Sequence, residues 1–205
     1  MSESDLAVHG HSAAPMEASP YDIPSRKLTM WLFIISDAVT FGAFLFAYGY
    51  LRVGAGPDWP TPFKFYPSIL NVIFMTFVLI TSSLTMLGAV DAAKAGDKGK
   101  TSRFLWSTIF LGALFAGLHL HEWSGLIADG IKINTSTFGQ AFFTITGLHL
   151  LHVISGLIAM IVIWKKFSGG RLTAGHVESM GLYWHFVDLV WMFVVPLVYL
   201  LNIQH

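Results

Sequence analysis

Nine histidines and twelve acidic side chains, with no cysteine, hold most of the chemistry that this 205-residue chain can offer. His149 and His152 stand three residues apart, which on a helix puts both imidazoles on one face. His185 and Asp188 repeat that spacing, and a carboxylate so placed can fix an imidazole's tautomer or hold it protonated. His119, His121 and Glu122 form a third group, while Asp37 stands alone among Ile34, Ile35, Ala38 and Phe41. Three chemistries suit such residues. Imidazoles on adjacent helices can ligate haem or another metal; acids and imidazoles in series can relay protons; and both can hydrogen-bond one helix to the next. The ladder of widely spaced histidines that a haem-bearing four-helix core commonly carries is missing, yet spacing alone leaves all three open. The lack of cysteine removes a disulfide framework, a thiolate metal site and a cysteine nucleophile.

The elements that must position these residues follow from composition. Hydrophobic residues make up 54% of the chain and charged residues 12%, about half the usual quarter of a soluble domain. Lysine plus arginine equals aspartate plus glutamate at twelve each, so no global field draws nucleic acid. Apolar runs cover residues 28–50, 67–90, 104–123, 138–164 and 178–202, each long enough to cross about 30 Å of hydrocarbon. Backbone groups cannot stay unpaired in lipid, and the runs are too long for barrel strands, so each is expected to be a helix. The expected fold class is all-α: a polytopic membrane protein, a bundle of five transmembrane helices spanning residues 28–205. Breaker-rich connectors lie at 54–62, 94–100 and 167–175. No internal repeat is evident, which counts against an inverted-repeat transporter.

Residues 1–27 are polar, contain three prolines and lack the basic-then-apolar pattern of a secretory signal. They read as a flexible cytoplasmic tail in which His9 and His11 are idle. Lysine and arginine near the helix ends orient the bundle. Arg26, Lys27, Lys94, Lys98, Lys100, Arg103, Lys165, Lys166 and Arg171 fall on the tail's side, against Arg52, Lys64 and Lys132 on the other. The tail is therefore expected in the cytoplasm and the C-terminus outside. Trp31, Trp59, Trp106, Trp123 and Trp164 fall near the predicted interfaces, as aromatic belts do.

Asp37 lies about 14 Å into the first span, near mid-membrane. An ionised carboxylate at that depth is costly, so the reading divides between an acid bonded to a neighbouring helix and a proton-related or conformational role. Gly112, Gly117, Gly147 and Gly156 are expected to let helices approach closely. Thr81, Ser82, Ser83 and Thr85 supply hydroxyls, and Pro196 is expected to kink the fifth helix near its outer end.

The fifth span reads Tyr183-Trp184-His185-Phe186-Val187-Asp188-Leu189-Val190-Trp191, with Tyr199 beyond it. The fourth contains Thr146-Gly147-Leu148-His149-Leu150-Leu151-His152-Val153-Ile154-Ser155-Gly156, and the first Trp31-Leu32-Phe33-Ile34-Ile35-Ser36-Asp37. These segments resemble the signatures of subunit III of the haem–copper terminal oxidases, in its five-helix bacterial form, over residues 28–203. The resemblance implies an accessory subunit of a proton-pumping respiratory oxidase that reduces oxygen to water in the bacterial plasma membrane. It implies no catalytic residue, metal ligand or redox cofactor in this chain, with haems and copper in partner subunits. Subunit I would be the main partner, with subunit II and a small subunit IV; bound phospholipid and support of proton uptake and turnover stability are also implied. Asp37 falls at the family's buried carboxylate, commonly Glu. His149, His152, His185, Asp188, Glu122 and Glu178 become bundle-stitching or lipid-cleft residues, with His119 where the family has Gln, and Lys166 falls near lipid headgroups. The electron donor, cytochrome c or quinol, is set by other subunits. Two alternatives stand beside this: a membrane cytochrome holding haem b through His149, His152 and His185, and a proton-coupled transporter using Asp37 and Asp188.

Overall fold

The computed structural model describes residues 25–171 and 173–204. The expected tail up to residue 24, with His9 and His11, lies outside the described residues. Five long helices follow one another: α1 (Ser25–Ala55), α2 (Leu70–Lys94), α3 (Lys98–Ala128), α4 (Thr137–Ser168) and α5 (Ala174–Val194). Each is long and apolar enough to cross a bilayer, and the described residues contain no strand beyond a single Phe63–Ile203 bridge. The all-α membrane architecture read from the apolar runs is the one observed.

The helices outrun those runs. The first begins at Ser25, the third extends over Lys98–Ala128 and the fifth starts at Ala174. A helix that leaves the hydrocarbon can keep its i→i−4 bonds in the interface, so hydropathy marks the span and capping marks the ends. Three ends share one device. Gly96, Gly130 and Gly170 follow α2, α3 and α4 with φ of 78°, 86° and 71°. In each case the next N–H folds back onto the last turn: Asp97 to Ala92 O, Ile131 to Leu126 O and Arg171 to Lys166 O. These are Schellman closures, which need a left-handed residue and so favour glycine. Asp97 then caps α3 by accepting the Lys100 N–H at 2.9 Å, a bond that holds its carboxyl below the usual carboxylate range. Ser136 caps α4 and Thr173 with His176 caps α5.

Helices α2, α3, α4 and α5 form a four-sided bundle, and α1 lies in the outer groove between α4 and α5. The bundle is wedged apart by Trp184. A side chain built on Gly112 would come within 2.8 Å of this indole, and one on Gly156 within 2.9 Å, so both glycines are where the backbones of α3 and α4 meet it. Gly147 faces Trp123 at ordinary contact distance, 3.4 Å. Gly117 is a correction: nothing lies within 4 Å of its position, because five residues carry it about 140° round α3 from Gly112.

One further expectation changes, and the one for Pro196 takes a specific form. Trp59 is buried rather than in a belt, since its indole N–H donates to Asn202 Oδ1 at 3.0 Å, whereas Trp31 and Trp106 are exposed. At Pro196 the α5 helix widens into a π-type turn over Val195–Tyr199 and then a 3-10 turn at Leu200–Asn202. Proline lacks the N–H and crowds the carbonyl one turn back, so the chain loosens there.

Candidate functional site

The seam between α1 and α4 carries a carboxyl–imidazole pair. His152 Nδ1 lies 2.7 Å from Leu148 O; a carbonyl only accepts, so this nitrogen carries the hydrogen. Nε2 is thereby left facing Asp37 Oδ2 at 2.8 Å, close enough for an ion pair although the oxygen sits off the ring N–H axis. With Nδ1 committed, the pair accommodates one proton, written either as imidazolium–carboxylate or as imidazole–carboxylic acid. Its surroundings are ordered by α5. Tyr183 OH donates to His152 O at 2.9 Å and lies 2.8 Å from Ser155 Oγ, and the edge of Phe41 closes on the imidazole. The side chains retain 18% and 15% exposure, so the site is half-buried on the outer flank of the bundle. Chemically, a carboxyl and an imidazole in such contact can hold and exchange a proton, here near the middle of α1.

His149 does not join it. The roughly 60° that separates helix positions three apart turns His149 inward, where its ring stacks on Trp191 at 5.2 Å and meets the edge of Phe115. His119 is also fully buried, stacked on Phe115 with an interplanar angle of 11°, and its Nδ1 lies 3.8 Å from Glu122 Oε2. Tyr199 OH donates to the same oxygen at 3.0 Å. Neither imidazole has a protein hydrogen-bond partner on either nitrogen. His121, two residues on, is exposed.

The third group also divides. His185 Nδ1 lies 2.5 Å from Ser83 Oγ on α2, while both oxygens of the buried Asp188 lack a hydrogen-bond partner. Ser83, not Asp188, therefore orients His185. Glu178 receives Lys27 at 3.1 Å and Lys94 at 3.5 Å, linking α5 to α1 and α2, and Arg26 adds a contact to His176. Lys166 is exposed in the last turn of α4. His149, His152 and His185 thus face Trp191, Asp37 and Ser83 in three directions. Among the described residues no three His, Asp or Glu side chains converge as a metal-binding group.

One hub escapes sequence reading. Buried Asn202 accepts from Trp59 Nε1 at 3.0 Å and Arg52 Nε at 3.2 Å, and donates to Tyr48 OH at 2.5 Å and to Val198 O at 2.6 Å. Arg52 also donates to Leu201 O. The only signal was an amide at the end of an apolar run, which reads as the point where a span simply stops.

Comparison with known proteins completes the picture. The family model described as cytochrome c oxidase subunit III matches residues 23–203. The cytochrome c oxidase subunit 3 of Bacillus sp. strain PS3 is 32% identical over 98% of this chain and 97% of its own. That of Bacillus subtilis is 35% identical over 93% and 95%. The cytochrome bo(3) ubiquinol oxidase subunit 3 of Pseudomonas aeruginosa is 35% identical over 84% and 83%.

Proposed function

The chain belongs to the cytochrome c oxidase subunit III family, and from that premise we propose that it sustains proton uptake and turnover stability in a bacterial respiratory oxidase without carrying a redox centre itself. Its place as an accessory subunit of a terminal oxidase complex follows from the family. What supports the finer reading is the 2.8 Å contact between Asp37 and His152 on the flank of the bundle.

In this reading the haems and copper of subunits I and II supply the electron transfer and oxygen chemistry. This chain packs on subunit I, with a small subunit IV also in the assembly, and binds phospholipid along its flanks, Lys166 serving headgroups on the cytoplasmic side. The tail lies in the cytoplasm and the C-terminus outside, as the basic residues around Lys94–Arg103 and Lys165–Arg171 favour. Leu148 O fixes the His152 tautomer, Asp37 stabilises the added proton, and Tyr183 with Ser155 braces the turn that presents the ring. His149, His119, His185 and Asp188 hold the interior together and take no part in transfer; Glu122 and Glu178 tie helix ends.

The test is Asp37→Asn in the intact oxidase. Haem spectra should be unchanged, while proton uptake slows or the enzyme inactivates after fewer turnovers. Wild-type behaviour in both assays removes Asp37 from the mechanism. Absorption spectroscopy of the separated chain tests the rest: a Soret band lost on replacing His149 or His152 would instead establish a haem-binding cytochrome.

A further inference from the structure

At the end of the bundle that carries the C-terminus, a cavity of about 610 Å³ opens between the approach to α2 and the last turns of α3. Ser68, Asn71, His121 and Ser124 put hydroxyl, amide and imidazole groups along its wall. Glu122 also lines it, although its side chain is only 6% exposed. The proton-uptake reading leaves this opening without a role.

Three observations bear on what the cavity holds. The first is a concentration of unpaired polar atoms. Nine buried side-chain nitrogen and oxygen atoms among the described residues lack a hydrogen-bond partner, and six of them belong to His119, Glu122, Trp123 and His149. These side chains share one region. His119 lies 5.3 Å from Trp123, and His119 and His149 lie 5.6 and 5.2 Å from Trp191, ring centre to ring centre. An unpaired buried polar atom is costly, and a polar site with several of them is where proteins hold ordered water. The second is the asymmetry of the Glu122 carboxyl. Oε2 accepts from Tyr199 OH at 3.0 Å, whereas Oε1 has no protein partner. The third is depth. Glu122 lies six residues, about 9 Å, before Ala128, where the third span ends, so a short file of water reaches from its carboxyl to the aqueous phase. Toward mid-membrane the region is closed. Phe115 and Trp191 meet edge to face at 4.9 Å, and no hydrogen bond among the described residues joins Glu122 to Asp37 or His152.

We propose that this cavity is a water-filled vestibule, and that Glu122 at its base is a proton-binding site in exchange only with the aqueous phase at the C-terminal end of the bundle. A hydronium ion in the vestibule gives its proton to Oε1 and leaves as water, while Oε2 keeps the Tyr199 bond, so protonation does not unfasten α5 from α3. The titratable and charged groups around the carboxyl are His119 and His121 on α3, Tyr199 beyond α5, Lys64 before α2, Asp129 after α3, and His149 of α4 across the aromatic rings. The inference rests on the chain spanning a bilayer. It uses no residue of the Asp37–His152 pair and opens toward the other face of the membrane from Lys166.

The experiment uses the whole oxidase complex in vesicles and follows carboxyl C=O bands by infrared difference spectroscopy, with pH or deuterium changed on one side at a time. Wild type should show a band, lost in Glu122→Gln, that grows as pH falls on the C-terminal side and shifts promptly when D2O is added there. Tyr199→Phe should move the band to higher frequency without slowing its deuteration. Gly125→Trp fills the vestibule, since nothing lies within 4 Å of that glycine's missing side chain, and leaves Glu122 in place. It should slow the deuteration at least about tenfold, because exchange then waits for local opening of the helix ends. Asn71→Trp should do the same from the α2 wall. Asp37→Asn should leave the band and its exchange as they are, so this proposal and the proton-uptake reading fail separately. Absence of a Glu122 band, a band that follows the pH of the opposite side, or deuteration equally fast in Gly125→Trp and Asn71→Trp would overturn the proposal. So would slow deuteration in wild type, which would show the cavity filled by lipid or protein rather than water.

Discussion

Helices α1 and α5 are both apolar enough to span a membrane, yet they are held in opposite ways. Of the 31 residues of α1, only Ile34, Phe41 and Tyr48 are buried, one every second turn. Of the 21 in α5, twelve are buried, among them Trp184 and Trp191. The outer helix is held by polar contacts strung along its length: Arg26 and Lys27 at one end, Asp37 in the middle, Tyr48 and Arg52 at the other. The central helix is held by the Trp184 indole seated against Gly112 and Gly156, and by Trp191 packed among Phe115, His119, His149 and Tyr199. The contrast follows from the solvent. Lipid tails are as apolar as leucine, so greasy surface does not drive helices together, and association needs either close packing or hydrogen bonds.

Substitutions can break or sharpen this contrast, and their effects should fall in order from the centre outward. Trp184→Ala should destabilise the chain by about 3–5 kcal/mol, seen as loss of the subunit from the purified complex. Gly112→Val forces a side chain into the same indole and should cost about 1–3 kcal/mol, with a lower thermal midpoint. Asn202→Ala strands Trp59 and Arg52 and should cost about 1–3 kcal/mol, registered as faster proteolysis of the connector between α1 and α2. Asp37→Asn should change stability by under about 1 kcal/mol while altering proton uptake, so its readout is functional. Lys27→Ala removes one half-exposed ion pair and should cost about 0.2–1 kcal/mol, a barely resolvable shift in midpoint. A reversal, with Asp37→Asn or Lys27→Ala more destabilising than Trp184→Ala, would mean that tethers rather than packing hold the assembly.

Much of this architecture is written locally. Five spans follow from the length of apolar runs, because bilayer thickness leaves no shorter solution. Gly112 and Gly156 are legible as close approaches because small residues at helix interfaces have few other uses. Which helix stands in the middle is not legible: hydropathy is nearly the same for α1 and α5, and burial is decided by partners far along the chain. For the same reason Gly117 and Trp59 were misplaced, since a periodic stripe and a neighbour's amide decide their surroundings. The candidate site is legible as a set of residues and not as a set of pairs. Spacing grouped His149 with His152 and His185 with Asp188, whereas the fold joins His152 to Asp37 and His185 to Ser83 across helices. Asn202 carried no signal, because an amide is informative only once its four partners are in place.

The turn between α2 and α3 has a consequence for biosynthesis. Ala95, Gly96 and Asp97 are all that separate the two helices, and each residue is committed to ending one helix or starting the next. So short a link has no slack with which to park one helix in the bilayer while its successor waits outside. The two are thereby tied as a single hairpin, with Lys94, Lys98 and Lys100 clustered at its tip.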